Sequence, residues 1–359
     1  MKNNFQIFKG KKIIVTGHTG FKGSWLCIWL NLLGAKVYGI SLKPNTRLSH
    51  YRCTNLKKYL KKSYIFNIQD KKKLQKVITT VKPDFLFHLA GQSIVKLSYI
   101  DPVNTWSTNL IGTINVLESL RKIKKCTAIL ITSDKCYKNI ESTKGYSEED
   151  KLGGDDPYSA SKASAELSIN SYYKTFFSNT GILLCSVRAG NVIGGGDWSP
   201  NRIIPDFFKY YFSNKKLIIR NPNSIRPWQH VLDALNGYLL LAKKLHLNKK
   251  LSGEAFNFGP KKIKNFKVRD LIDYLNKDNF FRKDLIIFKK SKDLKETNIL
   301  KLRVKKSQKK LKWKSNLDIK KSLDLTKDWF VSFDKKNFDK NYELSKSQII
   351  YFNKFTRDA

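Results

Sequence analysis

Short runs of β-branched and aromatic residues alternate with amphipathic stretches through the first half of the chain. This alternation is typical of parallel β-α-β units, in which a helix returns the chain to the starting end of the sheet. It predicts strands at 13–16, 36–41, 63–67, 84–89, 127–132 and 182–188. Their number and spacing predict an α/β fold with a doubly wound parallel sheet of the Rossmann type. Ligands of such sheets bind at the carboxyl ends of the strands, where strand order reverses.

The regular alternation ends near residue 190, where a triple glycine at 194–196 and four prolines interrupt it. A helix at 231–245 and a strand at 254–258 still fit the first domain. We therefore predict a dinucleotide-binding domain over 1–190, completed by about 228–260. A smaller substrate-binding lobe is predicted over 191–227 and 261–359. The lysine-dense stretch 261–314 keeps apolar residues at intervals, which indicates a folded, solvated face.

The formal net charge of +40 would by itself suggest nucleic acid, an anionic membrane or an acidic substrate. However, 58 of the 69 basic residues are Lys, whereas a phosphate-reading surface favours the fork of Arg. We attribute the charge to a compositional bias and expect no nucleic-acid partner. The sequence contains no run of about 18 uncharged apolar residues, so it predicts no membrane span. The five cysteines lack zinc-ligand spacing. These features predict a cytoplasmic protein with reduced thiols and no bound metal.

A glycine-rich loop directly follows the first predicted strand and opens a helix. The loop reads Gly17-His18-Thr19-Gly20-Phe21-Lys22-Gly23. In this pattern the first glycine permits a tight turn, the second lets the backbone approach a pyrophosphate, and the third lets helix and strand pack closely. The position of the loop between strand and helix predicts a dinucleotide site.

The acidic residue that often ends the second strand and binds an NAD ribose is absent from 39–43. Lys43 and Arg47 lie nearby and could accept the 2′-phosphate of NADP instead. After the third strand, Asp70 is a candidate for the adenine edge of the cofactor. It is equally suited to cap the helix that begins at Lys71, and the two roles do not exclude each other.

Tyr158 and Lys162 lie four residues apart at the start of a predicted helix, so they share one face. A phenol has a pKa near 10, and it can act as a base at neutral pH only where positive charge favours phenolate. Lys162 supplies such a charge. Together with the glycine loop, the pair is a candidate for oxidising a substrate hydroxyl. Without that loop, the same spacing would indicate an ordinary solvent-facing helix.

The fifth predicted strand runs into Ser133-Asp134-Lys135. This end of the strand faces the predicted crevice, where Ser133 could hydrogen-bond a substrate hydroxyl beside Tyr158. Asp134 and Lys135 place an acid next to a potential base, which is the pair that elimination of water requires. The alternative is a turn with a local ion pair.

Five segments and the Tyr158–Lys162 pair resemble the extended short-chain dehydrogenases/reductases. The segments are 16–26, 88–92, 133–137, 188–198 and 226–231. The similarity is closest to their nucleotide-sugar 4,6-dehydratases and runs nearly end to end. It implies a tightly held NAD, bound by the glycine loop, Tyr158 and Lys162. Further implied cofactor contacts are Asp70, Leu89, Ala90 and Gln92.

The resemblance also implies the reaction and the substrate, CDP-glucose. Tyr158 takes the proton of the C4 hydroxyl with the help of Lys162 and Ser133, while hydride passes to NAD. Lys135 then removes the C5 proton, Asp134 protonates the departing C6 hydroxyl, and hydride returns to C6. The product is CDP-4-dehydro-6-deoxy-D-glucose, a precursor of deoxysugars in surface polysaccharides such as O-antigen.

Four further residues are expected to bind the sugar nucleotide, because arginine suits phosphate oxygens and the loop after 190 is glycine-rich. They are Asn191, Arg202, Arg220 and Arg226. Relatives of this kind are homodimers or homotetramers, and we expect the same here. An epimerase or decarboxylase of the same fold is the alternative, although an epimerase has no use for the acid and base at 134–135.

Overall fold

The computed structural model describes residues 5–44, 46–260, 266–277, 280–289 and 299–356. The predicted strands all lie within two residues of observed ones. The strands are β1 (Lys12–Thr16), β2 (Lys36–Ser41), β3 (Lys62–Ile65), β4 (Phe85–His88), β5 (Lys125–Ile131), β6 (Gly181–Ala189), β7 (Val192–Ile193), β8 (Leu217–Arg220), β9 (Gln229–His230), β10 (Ala255–Phe258) and β11 (Ile286–Lys289).

Helices connect the strands and cover both faces of the sheet. In the first half they are α1 (Phe21–Leu32), α2 (His50–Cys53), α3 (Lys71–Val81), α4 (Val95–Ile100), α5 (Pro102–Trp106), α6 (Gly112–Leu120) and α7 (Pro157–Tyr172). In the second half they are α8 (Ile203–Ser213), α9 (Val231–Leu247), α10 (Val268–Leu275), α11 (Lys305–Leu311), α12 (Ile319–Ser332) and α13 (Phe338–Lys354). A π-turn (Ser107–Ile111) joins α5 to α6, and a 3₁₀ turn (Asp134–Cys136) follows β5.

Seven parallel strands form the main sheet in the order β10-β6-β5-β4-β1-β2-β3. The chain runs outward from β1 through β2 to β3, then crosses back and continues from β4 in the opposite direction. Strand order therefore reverses between β1 and β4, whose last paired residues are Thr16 and His88. This topology confirms the predicted doubly wound α/β fold and places the crevice beside the glycine loop.

The sheet is apolar on both faces because helices cover each of them. Ile13 and Val15 of β1 belong to a core shared with α1, α9 and α12, whereas Ile14 belongs to the core on the opposite face, with α3 and α6. The alternation follows from the period of two along a strand. The register of β1 with β2 and β4 fixes the position of the loop that follows it.

The C-terminal part of the chain returns to the outside of the dinucleotide half. In α13, the Phe352 ring meets Trp29 of α1 with centroids 5.7 Å apart, and Ser345 Oγ lies 3.0 Å from His50 Nε2. Two short sheets, β8 with β11 and β7 with β9, lie outside the main one. The proposed division into a first domain and a lobe stays a prediction.

No helix among the described residues is long and apolar enough to cross a membrane. All five cysteines are free and buried. Within the described ranges, no group of three or more His, Cys, Asp or Glu side chains could hold a metal ion.

Candidate active site

The glycine loop packs tightly against the neighbouring strand end. Gly17 has φ +75°, and a Cβ built on it would lie 2.7 Å from the backbone nitrogen of Ala90. A Cβ on Gly23 would lie 2.2 Å from the carbonyl oxygen of Gly17. Side chains at these two positions would push the loop away from both its strand and its helix. The local sequence thus sets the shape of the loop.

Helix α1 begins at this loop without a side-chain cap. Its N-cap is Gly20, and its first turn holds no acidic residue. A Cβ on Gly20 would meet only the Gly17 carbonyl oxygen, at 3.3 Å, so that face of the loop is open. The uncapped N–H groups and the positive end of the helix dipole suit an anion such as a pyrophosphate. These features fit a dinucleotide.

Two side chains of the loop serve its structure. His18 Nε2 lies 2.7 Å from Ser63 Oγ of β3, and burial lowers the pKa of His18 to about 4. Thr19 Oγ1 lies 2.8 Å from Ser41 Oγ and donates to the carbonyl of Leu42 at 2.9 Å. Both side chains tie the loop to the β2 and β3 side, so only their backbone atoms are left for an anion.

The other residues expected at the cofactor make contacts within the protein. Asp70 accepts a hydrogen bond from the Lys73 backbone at 3.0 Å and caps α3. Leu89 and Ala90 follow β4 and are half-buried against Gly17. The Gln92 amide donates to Thr105 Oγ1 at 3.0 Å, so it braces the loop against α5.

Helix α7 holds Tyr158 and Lys162 in the crevice. Asp156 caps the helix and Pro157 occupies its first turn, which explains why it begins here. Tyr158 and Lys162 are both 7% exposed. Burial lowers the pKa of Lys162 to about 8. Its Nζ would lie 3.0 Å from a Cβ built on Gly91, which places it at the end of β4.

Asn109 is a site residue that sequence reasoning missed. It lies in the π-turn before α6, where its Oδ1 accepts from the Gln92 backbone at 2.9 Å and its Nδ2 donates to Ser161 Oγ at 2.9 Å. It therefore joins the loop after β4 to α7 beside Lys162. Asn109 belongs to no motif of its own, and its contacts with Gln92 and Ser161 join separate elements, so no sequence signal pointed to it.

The turn after β5 presents a continuous set of polar groups. Ser133 Oγ donates to Asp134 Oδ1 at 3.0 Å and accepts from the Lys135 backbone at 3.2 Å. Asp134 is 4% exposed, and its Oδ2 is buried and accepts no hydrogen bond within the described residues. The described residues therefore leave one oxygen of this carboxyl without a hydrogen-bond partner.

Burial raises the pKa of Asp134, and nearby cations oppose this rise. A carboxyl in this environment is suited to carry a proton at a higher pH than an exposed one. The cations and the hydroxyl around it come from separate parts of the chain. In order of effect, the groups that lower its pKa are Lys135, Ser133, Arg226 and Lys22.

Lys22 lies in the first turn of α1, within electrostatic reach of Asp134. Burial and then the charges of Arg202 and Lys162 lower the pKa of Lys22 to about 8, while Asp134 opposes the shift. We expected Lys22 at the cofactor, and the structure also brings it near the carboxyl of the 133–135 turn. The glycine loop and this turn therefore lie close together.

Tyr158 of α7 lies within the electrostatic reach of the 133–135 turn. Burial raises the pKa of Tyr158 to about 12; the neighbouring Ser133 hydroxyl partly opposes this rise, and the charge of Asp134 adds to it. The phenol and the carboxyl therefore influence each other across the crevice.

Two of the four residues expected to bind the sugar nucleotide lie within electrostatic reach of the site residues. Arg202 pairs with Asp197 at 3.1 Å and donates to Ser93 Oγ at 3.1 Å, and its charge acts on both Lys22 and Tyr158. Arg226 acts on Asp134. Arg220 is exposed at the end of β8, and Asn191 is half-buried after β6.

A buried ion pair supports the 133–135 turn from behind. Glu166 of α7 accepts from Arg188 Nη2 at 2.7 Å and from Ser186 Oγ at 2.8 Å. It also accepts from Thr132, the residue before Ser133. Sequence reasoning missed this pair, although Glu166 falls one turn after Lys162 on the same helix.

The fold and the site define a dinucleotide-binding enzyme of the extended short-chain dehydrogenase/reductase class. The family model described as GDP-mannose 4,6 dehydratase matches residues 14–326. The chain belongs to this nucleotide-sugar dehydratase family, as the resemblance implied.

Individual relatives agree with this assignment. The chain is 46% identical over 260 residues to the CDP-glucose 4,6-dehydratase of Salmonella typhimurium, covering 71% of this chain and 72% of that protein. The dTDP-glucose 4,6-dehydratase of Bacillus anthracis, solved in complex with NAD, superposes with TM-score 0.75 at 21% identity, over 90% and 97% of the chains.

An epimerase of Methanothermobacter thermautotrophicus superposes with TM-score 0.76 at 21% identity, covering 96% of each chain. Dehydratases and epimerases therefore share this fold. The residues of the site must separate the two activities.

Proposed function

We propose that this protein is a CDP-glucose 4,6-dehydratase that uses NAD. The observation that carries the proposal is the turn after β5. There the buried Asp134 carboxyl, one oxygen of which accepts no hydrogen bond from the described residues, precedes Lys135, and its charge acts on the Tyr158 phenol. The 46% identity to a protein named CDP-glucose 4,6-dehydratase supports the choice of nucleotide sugar.

The open face of the glycine loop and the N-terminus of α1 would hold the NAD pyrophosphate. Lys162 would bind near the nicotinamide ribose, because its ammonium lies at the end of β4 beside Gly91. When bound, NAD accepts a hydride from C4 of the sugar and later returns it to C6. The chain itself supplies the proton transfers.

The site residues divide the proton transfers between two sides of the sugar. Tyr158 receives the proton of the C4 hydroxyl. The resulting ketone acidifies C5–H, which Lys135 removes, and Asp134 protonates the C6 hydroxyl so that it leaves as water. Lys135 then returns its proton to C5, and the product is the 4-keto-6-deoxy sugar.

Arg202 and Arg226 are proposed to hold the diphosphate, since both are half-buried cations at the cavity. Arginine can bind phosphate oxygens through two parallel hydrogen bonds. Asn191 and Arg220 remain proposed contacts of the nucleotide.

Product formation tests the proposal directly. The purified protein is incubated with CDP-glucose and NAD, and the 4-keto product is followed by the near-ultraviolet absorbance that such sugars develop in alkali. CDP-glucose should react faster than the dTDP-, UDP- and GDP-linked sugars. Turnover of another nucleotide sugar with none of CDP-glucose would replace the substrate, and epimerised product without water loss would replace the reaction.

Self-association is the other part of the proposal. Helices α4, α5 and α7 and the π-turn contact one another and expose an unusual number of large apolar side chains, which typically marks a protein interface. They are Leu97, Tyr99, Ile100, Val103, Ile111 and Leu167.

Val103 is 74% exposed, so Val103→Glu should convert a homodimer or homotetramer to smaller species in sedimentation velocity. Ile218→Glu, on the exposed face of β8, is the matched control. Identical sedimentation of Val103→Glu and wild type would contradict this interface.

A further inference from the structure

The 133–135 turn is held at both of its ends by one buried ion pair. Thr132 precedes the turn, and its Oγ1 donates to the Glu166 carboxylate of α7. Tyr137 follows the turn, and its Oη accepts from Arg188 Nη1 at 2.9 Å. Glu166 Oε2 and Arg188 Nη2 are themselves 2.7 Å apart. The pair therefore reaches the chain on either side of the proposed acid and base.

The end at Thr132 is joined to β6 as well as to α7. The Thr132 backbone donates to the Val187 carbonyl at 2.9 Å, and Oγ1 lies 3.1 Å from the same oxygen. Glu166 also accepts from Ser186 Oγ of β6 at 2.8 Å. Thr132, Ser186 and Glu166 are all buried, so water cannot readily replace these hydrogen bonds. The Thr132 hydroxyl is therefore a direct link between this end of the turn and the helix that carries Tyr158.

The end at Tyr137 is anchored to a different part of the protein. Tyr137 Oη donates to Asn257 Oδ1 of β10 at 2.8 Å, and its ring stacks on Tyr146 with centroids 5.2 Å apart. Asn257 Nδ2 in turn donates to the carbonyls of Tyr146 and Arg303, at 3.0 and 3.1 Å. The Tyr137 hydroxyl therefore joins Arg188 to the edge strand of the main sheet.

Separate contacts hold the Tyr158–Lys162 pair. The Asp156 carboxylate accepts from the Ser159 backbone at 2.9 Å and caps α7. One turn further along, Asn109 Nδ2 donates to Ser161 Oγ at 2.9 Å. These contacts fix the first turns of α7, and they involve neither end of the 133–135 turn. They would persist if that turn were loosened.

We infer, on the basis of the proposed dehydratase function, that the Glu166–Arg188 pair positions the 133–135 turn for elimination. The pair acts through Thr132 and Tyr137, and these four residues are called the clamp. The sugar is oxidised at C4 beside α7, while the acid and base of the turn must reach C6 and C5 of the same sugar. The clamp sets the distance between the turn and α7, so its members are positioning residues and not catalytic ones.

A loosened turn should affect the two parts of the reaction unequally. A displacement of about 1 Å at the reacting groups can slow a step by about 100-fold. The carboxyl and amine of the turn would move, whereas the phenol and ammonium of α7 keep the contacts made by Asp156 and Asn109. C4 oxidation should therefore continue while loss of water slows. Reduced nicotinamide should persist, because hydride cannot return to C6 until water has left.

Thr132→Val tests the clamp where the chain enters the turn. Valine has nearly the volume of threonine but cannot donate to Glu166. In a rapid-mixing single turnover with CDP-glucose and NAD, the rise of reduced-nicotinamide absorbance reports oxidation, and its decay reports elimination with return of hydride. Thr132→Val should slow the decay by about 10- to 100-fold and the rise by less than about 3-fold. Thr132→Ser keeps the hydroxyl and should restore most of the decay rate.

Tyr137→Phe tests the clamp at the other end of the turn. Phenylalanine keeps the ring that stacks on Tyr146 but removes the hydroxyl between Arg188 and Asn257. The same assay should again show a slower decay with little change in the rise. This variant carries the test if Thr132→Val does not fold. Wild-type decay rates in both variants would overturn the clamp.

Thr127→Val is the matched control, because it removes a buried hydroxyl from the opposite end of β5. Thr127 Oγ1 lies 2.9 Å from His246 Nδ1, so this variant also loses a hydrogen bond, and general destabilisation should affect both valine variants. Thr127→Val should keep the wild-type ratio of decay to rise. Equal slowing of rise and decay in Thr132→Val, or a changed ratio in Thr127→Val, would overturn the clamp. A wild type that forms no 4-keto product would refute the proposed function as well, whereas an active wild type with unchanged ratios in the clamp variants would refute the clamp alone.

Discussion

The Glu166–Arg188 pair gives a prediction that depends on buried charge. The two side chains are 3% and 5% exposed and their closest N···O distance is 2.7 Å. Burial by itself would lower the pKa of Arg188, but the Glu166 charge and hydrogen bond hold it above its usual range. Glu166→Gln keeps the size of the side chain but leaves a guanidinium in the core without its counter-ion.

Breaking a buried pair by removing one partner costs about 3–5 kcal/mol, because the remaining charge is not solvated. Arg188 keeps two hydrogen bonds, to Tyr137 Oη at 2.9 Å and to the Glu148 carbonyl at 3.1 Å, and its guanidinium lies 4.9 Å from the Tyr137 ring centre. These contacts place the expected loss at the low end, about 3 kcal/mol.

Urea unfolding of Glu166→Gln and wild type measures this loss. The matched control is Asp284→Asn, which breaks the exposed pair Arg282–Asp284, whose side chains are 65% and 61% exposed. That change should leave the unfolding free energy close to that of the wild type, because water and salt screen an exposed ion pair. The double variant Glu166→Leu/Arg188→Met should recover part of the stability, since it leaves no buried charge. A loss below about 1 kcal/mol for Glu166→Gln would refute the reasoning.

Three further outcomes follow from the geometry of the loop, the base and the buried histidines. Gly23→Ala should abolish NAD binding in calorimetric titration, because the added Cβ would lie 2.2 Å from the Gly17 carbonyl oxygen; binding at wild-type affinity would contradict the close packing. Lys135→Met should stop exchange of the C5 hydrogen with heavy water, as detected by mass spectrometry, and retained exchange would remove Lys135 as the base. The free energy of unfolding should fall as the pH drops from about 6.5 toward 4. Burial lowers the pKa of each buried histidine in the folded state, so the unfolded chain takes up protons first. Each such histidine contributes up to about 1.4 kcal/mol per pH unit to this fall. The histidines are His18, His50, His88 and His230, with pKa values of about 4, 3, 3 and 3. Urea unfolding at several pH values measures the slope, and a flat profile would contradict it.

The local pattern of the sequence determined the elements and the loop. Strand period, cap residues and glycine spacing act over a few residues, so β1, the loop after it and the start of α7 could be read directly. The Tyr158–Lys162 spacing is likewise a property of one helix. Asp134 and Lys135 could also be identified as an adjacent acid and base at a strand end, and the resemblance to the dehydratases then implied which step each performs.

Only the tertiary structure decided how these pieces meet. Three contacts join residues of separate elements. Ser133 lies near Tyr158, Lys22 lies near Asp134, and Glu166 pairs with Arg188. Sequence spacing carries no information on such contacts, because they depend on strand order and on the packing of helices across the sheet. Burial decides the proton affinities in the same way, since it is the desolvation of a group by distant residues that moves its pKa.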